Sequence, residues 1–371
     1  AALDLWHRAR VPGHAFPARQ TAIVLGQAAD SALPLPPALV AAALRTVREG
    51  DTAVFWVDAR VARGVPLEPL WAEDGFEWVE EGYEWEVKVL RVGPARLTGD
   101  SRLGLRPDLR MPRLGLGLYQ VSPGDAYRAT LEALRVGYRL VDTASMYQNE
   151  AEVGQALRDS GIARADVFVV TKVNTPDHGY AEALAAVERS RALLGVAAID
   201  LVLVHSPVGG RLLETWDALL EARRRGLARQ VGVSNFGGEH LKCLEDAGRE
   251  RPAVDQFELS PFCQEVELRS LCERLGVAVM GYSPLTRGQR LQDERVGAVA
   301  RKHGASPAQV LIRWALQQGV VSIPKTTNPE RLRENLAALD LALDAADLQR
   351  LATCEEGLHT CWDCLRVPFQ P

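Results

Sequence analysis

The sequence predicts a (β/α)8 barrel in about residues 102–371, preceded by a small α+β domain. From about residue 114 onward, eight short runs rich in β-branched residues alternate with stretches that have helical apolar spacing. Eight such units in roughly 250 residues match the size of a closed barrel, whereas an open doubly wound sheet usually has fewer strands. The predicted strands are residues 114–118, 138–142, 167–173, 199–205, 230–235, 254–259, 277–283 and 320–325.

The segments between these runs predict helices, because their apolar residues recur three and four positions apart. The clearest examples are residues 126–136, 181–194, 212–225 and 307–317. Residues 103–111 come before the first run and predict a hairpin that closes the bottom of the barrel.

Residues 1–93 lack the regular alternation and contain five of the eight tryptophans. We therefore expect a separate small domain there, with strands at residues 21–25, 52–57 and 83–92 and a helix at residues 37–48. Residues 94–101 are predicted to be the linker to the barrel.

The composition is typical of a globular protein in an aqueous, reducing compartment. Hydrophobic residues make up 47% and charged residues 25%, and no apolar run is long enough to cross a bilayer. The net charge of −5 comes without a basic stripe, which argues against nucleic acid as a partner. The six cysteines are too few and scattered for a disulfide framework, so we expect a cytoplasmic protein. The sequence begins Ala-Ala-Leu-Asp without a Met, which leaves a removed targeting segment open.

Polar residues stand at or just past the ends of seven of the predicted strands. In a closed barrel the carboxyl ends of the strands carry the chemistry, so these side chains are expected to share one mouth. They are Asp142, Lys172, His205, Ser234, Asn235, Gln256, Ser283 and Lys325.

Four residues at this mouth suit the reduction of a carbonyl group. A tyrosine phenol such as Tyr147 can supply a proton, but its ordinary pKa near 10 makes it a weak donor at neutral pH. An ammonium such as Lys172 favours the phenolate, Asp142 would keep that ammonium charged, and a neutral His205 would orient the carbonyl. Taken singly, each has a structural alternative: a helix cap, a core tyrosine, a solvated lysine or a packing histidine.

The motifs around these residues resemble the aldo-keto reductase superfamily, in order and at similar spacing, over about residues 102–371. The resemblance implies that Tyr147 is the general acid, that Lys172 and Asp142 lower its pKa, and that His205 positions the carbonyl. The motifs are Gly-Leu-Gly-Leu-Tyr at 115–119, Asp-Thr-Ala-Ser-Met-Tyr-Gln-Asn-Glu at 142–150, Val-Thr-Lys-Val at 170–173, Leu-Val-His-Ser-Pro at 203–207, Gly-Val-Ser-Asn-Phe at 232–236 and Ile-Pro-Lys-Thr at 323–326.

The expected cofactor is NADPH, held without a Gly-rich dinucleotide fingerprint, which the sequence lacks. Ser234, Asn235 and Gln256 offer partners for a carboxamide, and Tyr282 offers a face for the nicotinamide ring. The resemblance places Ser283 and Leu285 in a loop that spans the pyrophosphate. Residues 325–331 lie at a helix start, where free N–H groups would favour a 2′-phosphate, although ordinary helix capping is the alternative. The residues assigned to this end are Lys325, Thr326, Thr327 and Arg331, and the resemblance implies that Glu334 and Asn335 lie near the adenine.

The loops over the mouth are short, which favours small aldehydes or ketones. Tyr119 and Trp362 are the aromatic candidates for the substrate pocket. Cys361-Trp-Asp-Cys364, with Cys354 and His359 nearby, admits zinc or redox chemistry. The favoured interpretation is a substrate-side tail, so no metal is expected.

Four segments of the first domain carry a second resemblance: Ile-Val-Leu-Gly at 23–26, the predicted helix through residues 38–46, Arg-Glu-Gly-Asp at 48–51 and the predicted strand at 83–92. They resemble the later part of an FK506-binding-protein prolyl isomerase domain. Leu39 and the segment Ala-Arg-Val-Ala-Arg-Gly stand where that family has aromatics, so a degenerate docking module is expected rather than an isomerase. A barrel extension without a separate role is the alternative. A non-catalytic protein that senses NADPH and docks a client also stays open for the whole chain. Barrels of this kind are often monomers, and a monomer is expected.

Overall fold

The computed structural model describes residues 20–25, 52–57, 76–81, 84–89, 102–106 and 109–369. The chain divides into two compact units, Ala1–Ala95 and Arg96–Pro371. The domain boundaries at residues 93 and 102 and the likeness to a prolyl isomerase stay predictions.

In the first unit, strand β1 (Gln20–Leu25) pairs in parallel with β2 (Thr52–Val57). Strand β3 (Phe76–Glu81) pairs antiparallel with β4 (Glu84–Val89). The predicted strands at 21–25 and 52–57 are confirmed, and the one at 83–92 is the shorter β4. The sequence analysis missed β3, and the predicted helix at 37–48 lies outside the described residues.

The second unit begins with the predicted hairpin. Strands β5 (Arg102–Arg106) and β6 (Leu109–Pro112) pair antiparallel, with a shift of register between Gly104 and Arg106. Met111 of β6 is fully buried against apolar residues inside the barrel, so the hairpin closes one end of the barrel.

Eight parallel strands follow and close on themselves, as predicted. Each strand pairs with its neighbours in chain order, and the hydrogen bond from Gly115 N to Ser322 O (2.9 Å) joins the first strand to the last. The strands are β7 (Leu116–Gly117), β8 (Leu140–Asp142), β9 (Phe168–Val173), β10 (Ile199–Val204), β11 (Ala228–Ser234), β12 (Val254–Glu258), β13 (Ala278–Tyr282) and β14 (Val321–Ile323).

Helices cover the outside of the barrel, and their ends follow local sequence signals. The first helix is capped by Ser122, continues with Pro123, and stops at Gly137, whose φ of 119° favours glycine. The helices are α1 (Pro123–Val136), α2 (Glu150–Asp159), α3 (Tyr180–Leu194), α4 (Leu212–Arg224), α5 (Gly238–Asp246), α6 (Val266–Leu275), α7 (Glu294–His303), α8 (Pro307–Gln317), α9 (Pro329–Leu336) and α10 (Ala345–Ala352).

The core has two layers. Ten buried apolar residues fill the barrel interior near the hairpin, and a larger set packs between the strands and the helices. Every residue of β9 and β10 is buried, because both faces of these strands are covered. In the described part of the chain, no helix combines the length and apolar character of a membrane span.

Candidate active site

A cleft opens at the carboxyl ends of the barrel strands and brings together residues far apart in the sequence. Its lining includes three of the four predicted catalytic residues, Asp142, Tyr147 and His205, and reaches as far as Lys325 and Arg331. The other predicted residues on its walls are Tyr119, Ser234, Asn235, Gln256, Tyr282, Ser283, Leu285 and Trp362, while Lys172 lies just behind the surface.

Lys172 is the centre of the predicted catalytic group, which consists of Asp142, Tyr147, Lys172 and His205. Its Nζ donates hydrogen bonds to Asp142 Oδ1 (2.6 Å), to the Thr143 carbonyl (3.0 Å) and to Tyr147 Oη (3.3 Å). The Lys172 and Asp142 side chains are only 1% and 3% exposed, so water contributes little to solvating either charge. Burial lowers the Lys172 pKa, and the adjacent Asp142 carboxylate raises it again. The ammonium is therefore held against the phenol.

The turn that carries Tyr147 is fixed from both sides. Tyr147 ends a short 3-10 turn, and the next residue, Gln148, has a left-handed φ of 54°. Ser145 Oγ donates to the Lys172 carbonyl (3.0 Å), and Asn149 Nδ2 donates to the carbonyls of Leu118 and Val121 (both 3.2 Å). Asn149 is fully buried and thus ties the turn to the loop after β7.

His205 lies beside Tyr147, with ring centroids 5.7 Å apart in an edge-on arrangement. Burial, with the nearby Lys172 charge, lowers the His205 pKa to about 3. The imidazole is therefore neutral at physiological pH. Its Nδ1 is buried without a partner among the described residues, which leaves Nε2 as the nitrogen able to meet a ligand in the cleft.

The structure corrects the expectation for the Tyr147 pKa. Burial and the Asp142 charge raise this pKa well above 10, although the ammonium of Lys172 is adjacent. In this state the phenol keeps its proton at every physiological pH. Loss of that proton would leave a phenolate 3.3 Å from the Lys172 ammonium, which would stabilise it.

A polar network lines the wall next to the catalytic group. Gln256 Nε2 donates to Asp142 Oδ2 (2.7 Å), and Ser234 Oγ donates to the Gln256 carbonyl (2.8 Å). Tyr282 Oη donates to Asn235 Oδ1 (2.8 Å), while Asn235 Nδ2 donates to the His205 carbonyl (3.0 Å). The four residues proposed for the carboxamide and ring therefore form one connected surface.

The far end of the cleft carries positive charge. Lys325 and Arg331 are exposed on its wall, and neither forms a salt bridge within the described residues. The sequence analysis expected free N–H groups at the start of α9, but two of them are bonded. Asn328 Oδ1 accepts from Glu330 N (2.8 Å) and Arg331 N (3.1 Å). The positive charge there thus comes from side chains.

The remaining residues assigned to this end do not line the cleft. Thr326 and Asn335 are buried, and Thr326 Oγ1 accepts from Asn328 N at 3.1 Å. Thr327 is exposed and Glu334 is half-buried, both off the lining.

The loop after β13 crosses the cleft and is held at both sides. Arg287 donates to Gln120 Oε1 (2.7 Å) in the loop after β7 and to the Thr360 carbonyl (3.3 Å) in the carboxyl-terminal tail. Left-handed φ values occur at Gln120, Asn235, Ser283 and Arg287, all on the cleft. Such backbone strain in non-glycine residues is typical of a functional site.

The tail supplies the outer wall. Trp362 is 57% exposed at the mouth, and the Tyr119 ring lies 5.2 Å from the Tyr147 ring. Buried Glu258 at the end of β12 accepts from the backbone N–H groups of Thr360 (2.9 Å) and Cys361 (3.0 Å). One carboxylate therefore fixes the part of the tail that faces the cleft.

Sequence reasoning missed Glu258, Arg287 and Asn149 as supports of the site. Glu258 follows Gln256 by two residues on the same strand, which was a usable signal for a second inward-facing polar side chain. Arg287 carried no signal, because its partners lie in two distant loops.

Comparison with known proteins agrees with this geometry. A model of the Aldo/keto reductase family matches residues 113–356. An aldo-keto reductase of Mycolicibacterium smegmatis (strain ATCC 700084 / mc(2)155) is 42% identical over 258 residues, which cover 69% of this chain and 94% of that protein. The 9,11-endoperoxide prostaglandin H2 reductase of Trypanosoma cruzi (strain CL Brener) is also 42% identical, over 68% of this chain and 90% of that protein.

Solved structures are similar over the same region. The crystal structure of an aldo/keto reductase from Brucella melitensis has a TM-score of 0.66 at 36% identity, covering 68% of this chain and 99% of that chain. The crystal structure of apo Gox0644 has a TM-score of 0.68 at 39% identity, covering 72% and 99%.

Proposed function

Because the chain belongs to the aldo/keto reductase family and is an oxidoreductase acting on carbonyl groups, we propose that it uses NADPH and that Asp142, Tyr147, Lys172 and His205 carry the proton transfer. The observation that carries the proposal is the position of Lys172 Nζ between Asp142 and Tyr147, beside His205 in one cleft.

The cleft residues fit a phosphorylated dinucleotide. Lys325 and Arg331 are exposed cations without a salt bridge in the described part of the chain. Both side chains would therefore be able to pair with a phosphate group of the cofactor. At the other end, Ser234, Asn235 and Gln256 would hold the carboxamide and Tyr282 would cover the ring. The reduced nicotinamide, when bound, supplies the hydride.

The protein's own residues then handle the proton. A substrate carbonyl oxygen between Tyr147 and His205 accepts a hydrogen bond from the neutral imidazole, which orients it. As negative charge builds on that oxygen, the Tyr147 phenol gives it a proton. Lys172 stabilises the resulting phenolate, and Asp142 keeps the ammonium charged and in place. The phenolate recovers its proton from solvent through the open cleft.

We infer small aldehydes or ketones as substrates. The loops over the mouth are short, and the outer wall consists of the half-buried Tyr119 ring and the exposed side chains of Met146 and Trp362. These apolar groups would contact the substrate's side chain while leaving the mouth open to solvent.

The decisive experiment compares NADPH with NADH in the reduction of a panel of small aldehydes, followed by the loss of nicotinamide absorbance. The double variant Lys325→Met, Arg331→Met should lower kcat/KM for NADPH by roughly 100-fold or more, because each of the two lost charge-assisted hydrogen bonds contributes about 1.5–3 kcal/mol. The value for NADH should stay within about twofold.

Arg224→Gln is the matched control, since Arg224 is exposed and pairs with Glu221 on α4. This variant should leave kcat/KM unchanged for both NADPH and NADH. Equal use of the two cofactors by the unmodified chain would contradict the NADPH assignment, and tight NADPH binding without turnover would contradict the proton-transfer assignment.

A further inference from the structure

A cluster of metal-ligating side chains lies outside the cleft, where the loop after β12 meets the carboxyl-terminal tail. Cys263 Sγ lies 3.8 Å from both ring nitrogens of His359, and His359 Nε2 lies 3.5 Å from Glu265 Oε1. One ligand atom from each of these residues lies within 4.8 Å of the other two. Asp363 Oδ2 is 3.8 Å from the same Nε2.

We propose that Cys263, Glu265 and His359 form a zinc site that fastens the tail to the barrel, with the fourth coordination position left to water. Bonds of about 2.0–2.3 Å in a tetrahedral zinc site place neighbouring ligand atoms roughly 3.3–3.8 Å apart. The separations from His359 Nε2 to Cys263 Sγ, 3.8 Å, and to Glu265 Oε1, 3.5 Å, fall in that range. A thiolate and an imidazole in one set select a metal such as zinc over magnesium or calcium.

The surroundings suit a divalent cation. Cys263 is buried and the Glu265 and His359 side chains are 13% and 18% exposed, so the group is shielded but reachable from solvent. The Cys263 thiolate and the Glu265 carboxylate would together balance the charge of bound zinc. Asp363 pairs with Arg366 at 2.9 Å beside this group. Binding releases the Cys263 thiol proton to solvent.

The backbone also presents Glu265 to this cluster at a cost. Glu265 has a left-handed φ of 41° just before α6 begins, a conformation that non-glycine residues rarely adopt. This conformation places the Glu265 carboxylate beside His359, which follows it by 94 residues (positions 265 and 359). A metal bond is one interaction strong enough to offset that cost.

The site differs from the one that the Cys361-Trp-Asp-Cys364 motif suggests. Cys361 Sγ contacts Ser283 Oγ at 3.7 Å, Cys364 Sγ contacts Ser206 Oγ at 3.8 Å, and Cys354 contacts the Arg350 carbonyl at 4.0 Å. In the described part of the chain, the thiol that meets His359 is therefore that of Cys263, which lies 96 residues earlier.

Occupancy would restrict the tail next to the cleft. His359 directly precedes Thr360 and Cys361 in the tail. The backbone N–H groups of these two residues donate hydrogen bonds to Glu258, and the next residue, Trp362, lies at the mouth of the cleft. Zinc at His359 would thus act together with Glu258 to hold the outer wall. This consequence rests on the proposed function, but the binding of metal does not.

The test is metal binding by the full chain. Protein stripped with a chelator is titrated with Zn²⁺, and bound metal is measured by plasma mass spectrometry after gel filtration, together with the melting temperature. We expect about one zinc per chain and a rise in melting temperature that depends on zinc concentration. Co²⁺ in place of zinc should give a thiolate-to-metal charge-transfer band, which a site without a thiolate lacks.

Cys263→Ser and His359→Gln should each weaken zinc binding by at least roughly 100-fold. Cys263→Ser should abolish the charge-transfer band of the cobalt protein, and His359→Gln should reduce the intensity of that band. Their melting temperatures without metal should match that of the stripped parent, which separates ligand loss from misfolding. Cys243→Ser, a thiol on α5, is the matched control and should bind zinc normally.

The double variant Cys361→Ser, Cys364→Ser should also retain zinc. Loss of zinc there, with retention in Cys263→Ser, would move the site to the CxxC pair and overturn the proposal. Absence of stoichiometric zinc from the unmodified chain would overturn it as well, whatever the reductase assays show.

Discussion

The two ends of the barrel are built from the same strands yet differ in chemistry. At the hairpin end, Met111 forms a closed apolar core with inward side chains of β8, β9, β10, β12, β13 and β14. At the other end the strands finish in Asp142, Lys172 and their partners, which surround an open cleft. The difference teaches that one set of strands can separate stability from reactivity along its own length.

The burial of charge is the clearest contrast. Lys172 and Asp142 are buried and paired at 2.6 Å, so each ion stabilises the other. Asp255, on the helix-facing side of β12, is fully buried and pairs with no cation among the described residues, and the backbone N–H of Phe236 offsets its burial only in part. The Asp142 carboxylate is thus paired with an ammonium, whereas burial favours the protonated form of Asp255.

The largest effect should come from the reactive end. Tyr147→Phe removes the proton donor and should lower kcat by roughly 10²- to 10⁴-fold without changing the melting temperature by more than a few degrees. Steady-state aldehyde reduction and thermal unfolding measure both quantities.

Tyr138→Phe is the matched control for that variant. Tyr138 is a buried tyrosine whose hydroxyl donates to the Leu332 carbonyl (3.1 Å), away from the cleft. It should lose about 1 kcal/mol of unfolding free energy and keep its kcat. If both variants lost activity equally, Tyr147 would not be the proton donor.

The closed end should respond in the opposite way. Met111→Ala leaves a cavity in the barrel interior and should lower the unfolding free energy by about 2–5 kcal/mol, while kcat per folded molecule is unchanged. Denaturant unfolding, with kinetics at a temperature where the variant stays folded, would check it. A large loss of kcat in folded protein would show that the two ends are coupled.

A smaller effect is expected at the tail. Glu258→Gln keeps the size of the side chain but weakens its hold on the backbone N–H groups of Thr360 and Cys361. We expect KM for the aldehyde to rise about tenfold, the result of losing roughly 1.5 kcal/mol, with kcat within about twofold. A parallel fall in kcat would indicate damage to the catalytic group rather than to the wall.

The smallest effect should depend on pH. Burial raises the Asp255 pKa well above 3.8 in the folded protein, with only partial compensation from the backbone N–H of Phe236. The folded state therefore keeps a proton on Asp255 that the unfolded chain releases above about pH 4. The contribution of Asp255 to the free energy of unfolding falls as the pH rises from the unfolded pKa to the folded pKa. Asp255→Asn should raise the unfolding free energy at pH 7 by about 1–2 kcal/mol and have little effect at pH 3. Urea unfolding at the two pH values would test this, and equal effects at both would contradict the assignment.

Much of the barrel could be predicted from local pattern. All eight barrel strands were predicted, as was the hairpin, because β-branched runs, helical spacing and turn residues act within a few positions of the chain. The ends of β14 were less well predicted: residues 320–325 were expected and Val321–Ile323 is observed. Pro324 has no N–H to donate to a strand partner, which favours an early end.

The candidate site was predictable where residue type and strand position coincide. Asp142, Lys172 and His205 stand at strand ends, so their convergence follows from parallel strands in a closed barrel. The roles of Thr326 and Asn335 were less accessible, because burial depends on how α9 packs. Their assignment to the cofactor stays a prediction.

The sequence by itself determined the order of strands and helices and the residue types at each strand end, since these depend on local conformational preference and on the period of apolar residues. Only the tertiary structure decided that Glu258 holds the tail, that Arg287 bridges two loops, and that His359 meets Cys263. Contacts of this kind join segments dozens to more than a hundred residues apart, and their energies depend on burial and distance that no local pattern encodes.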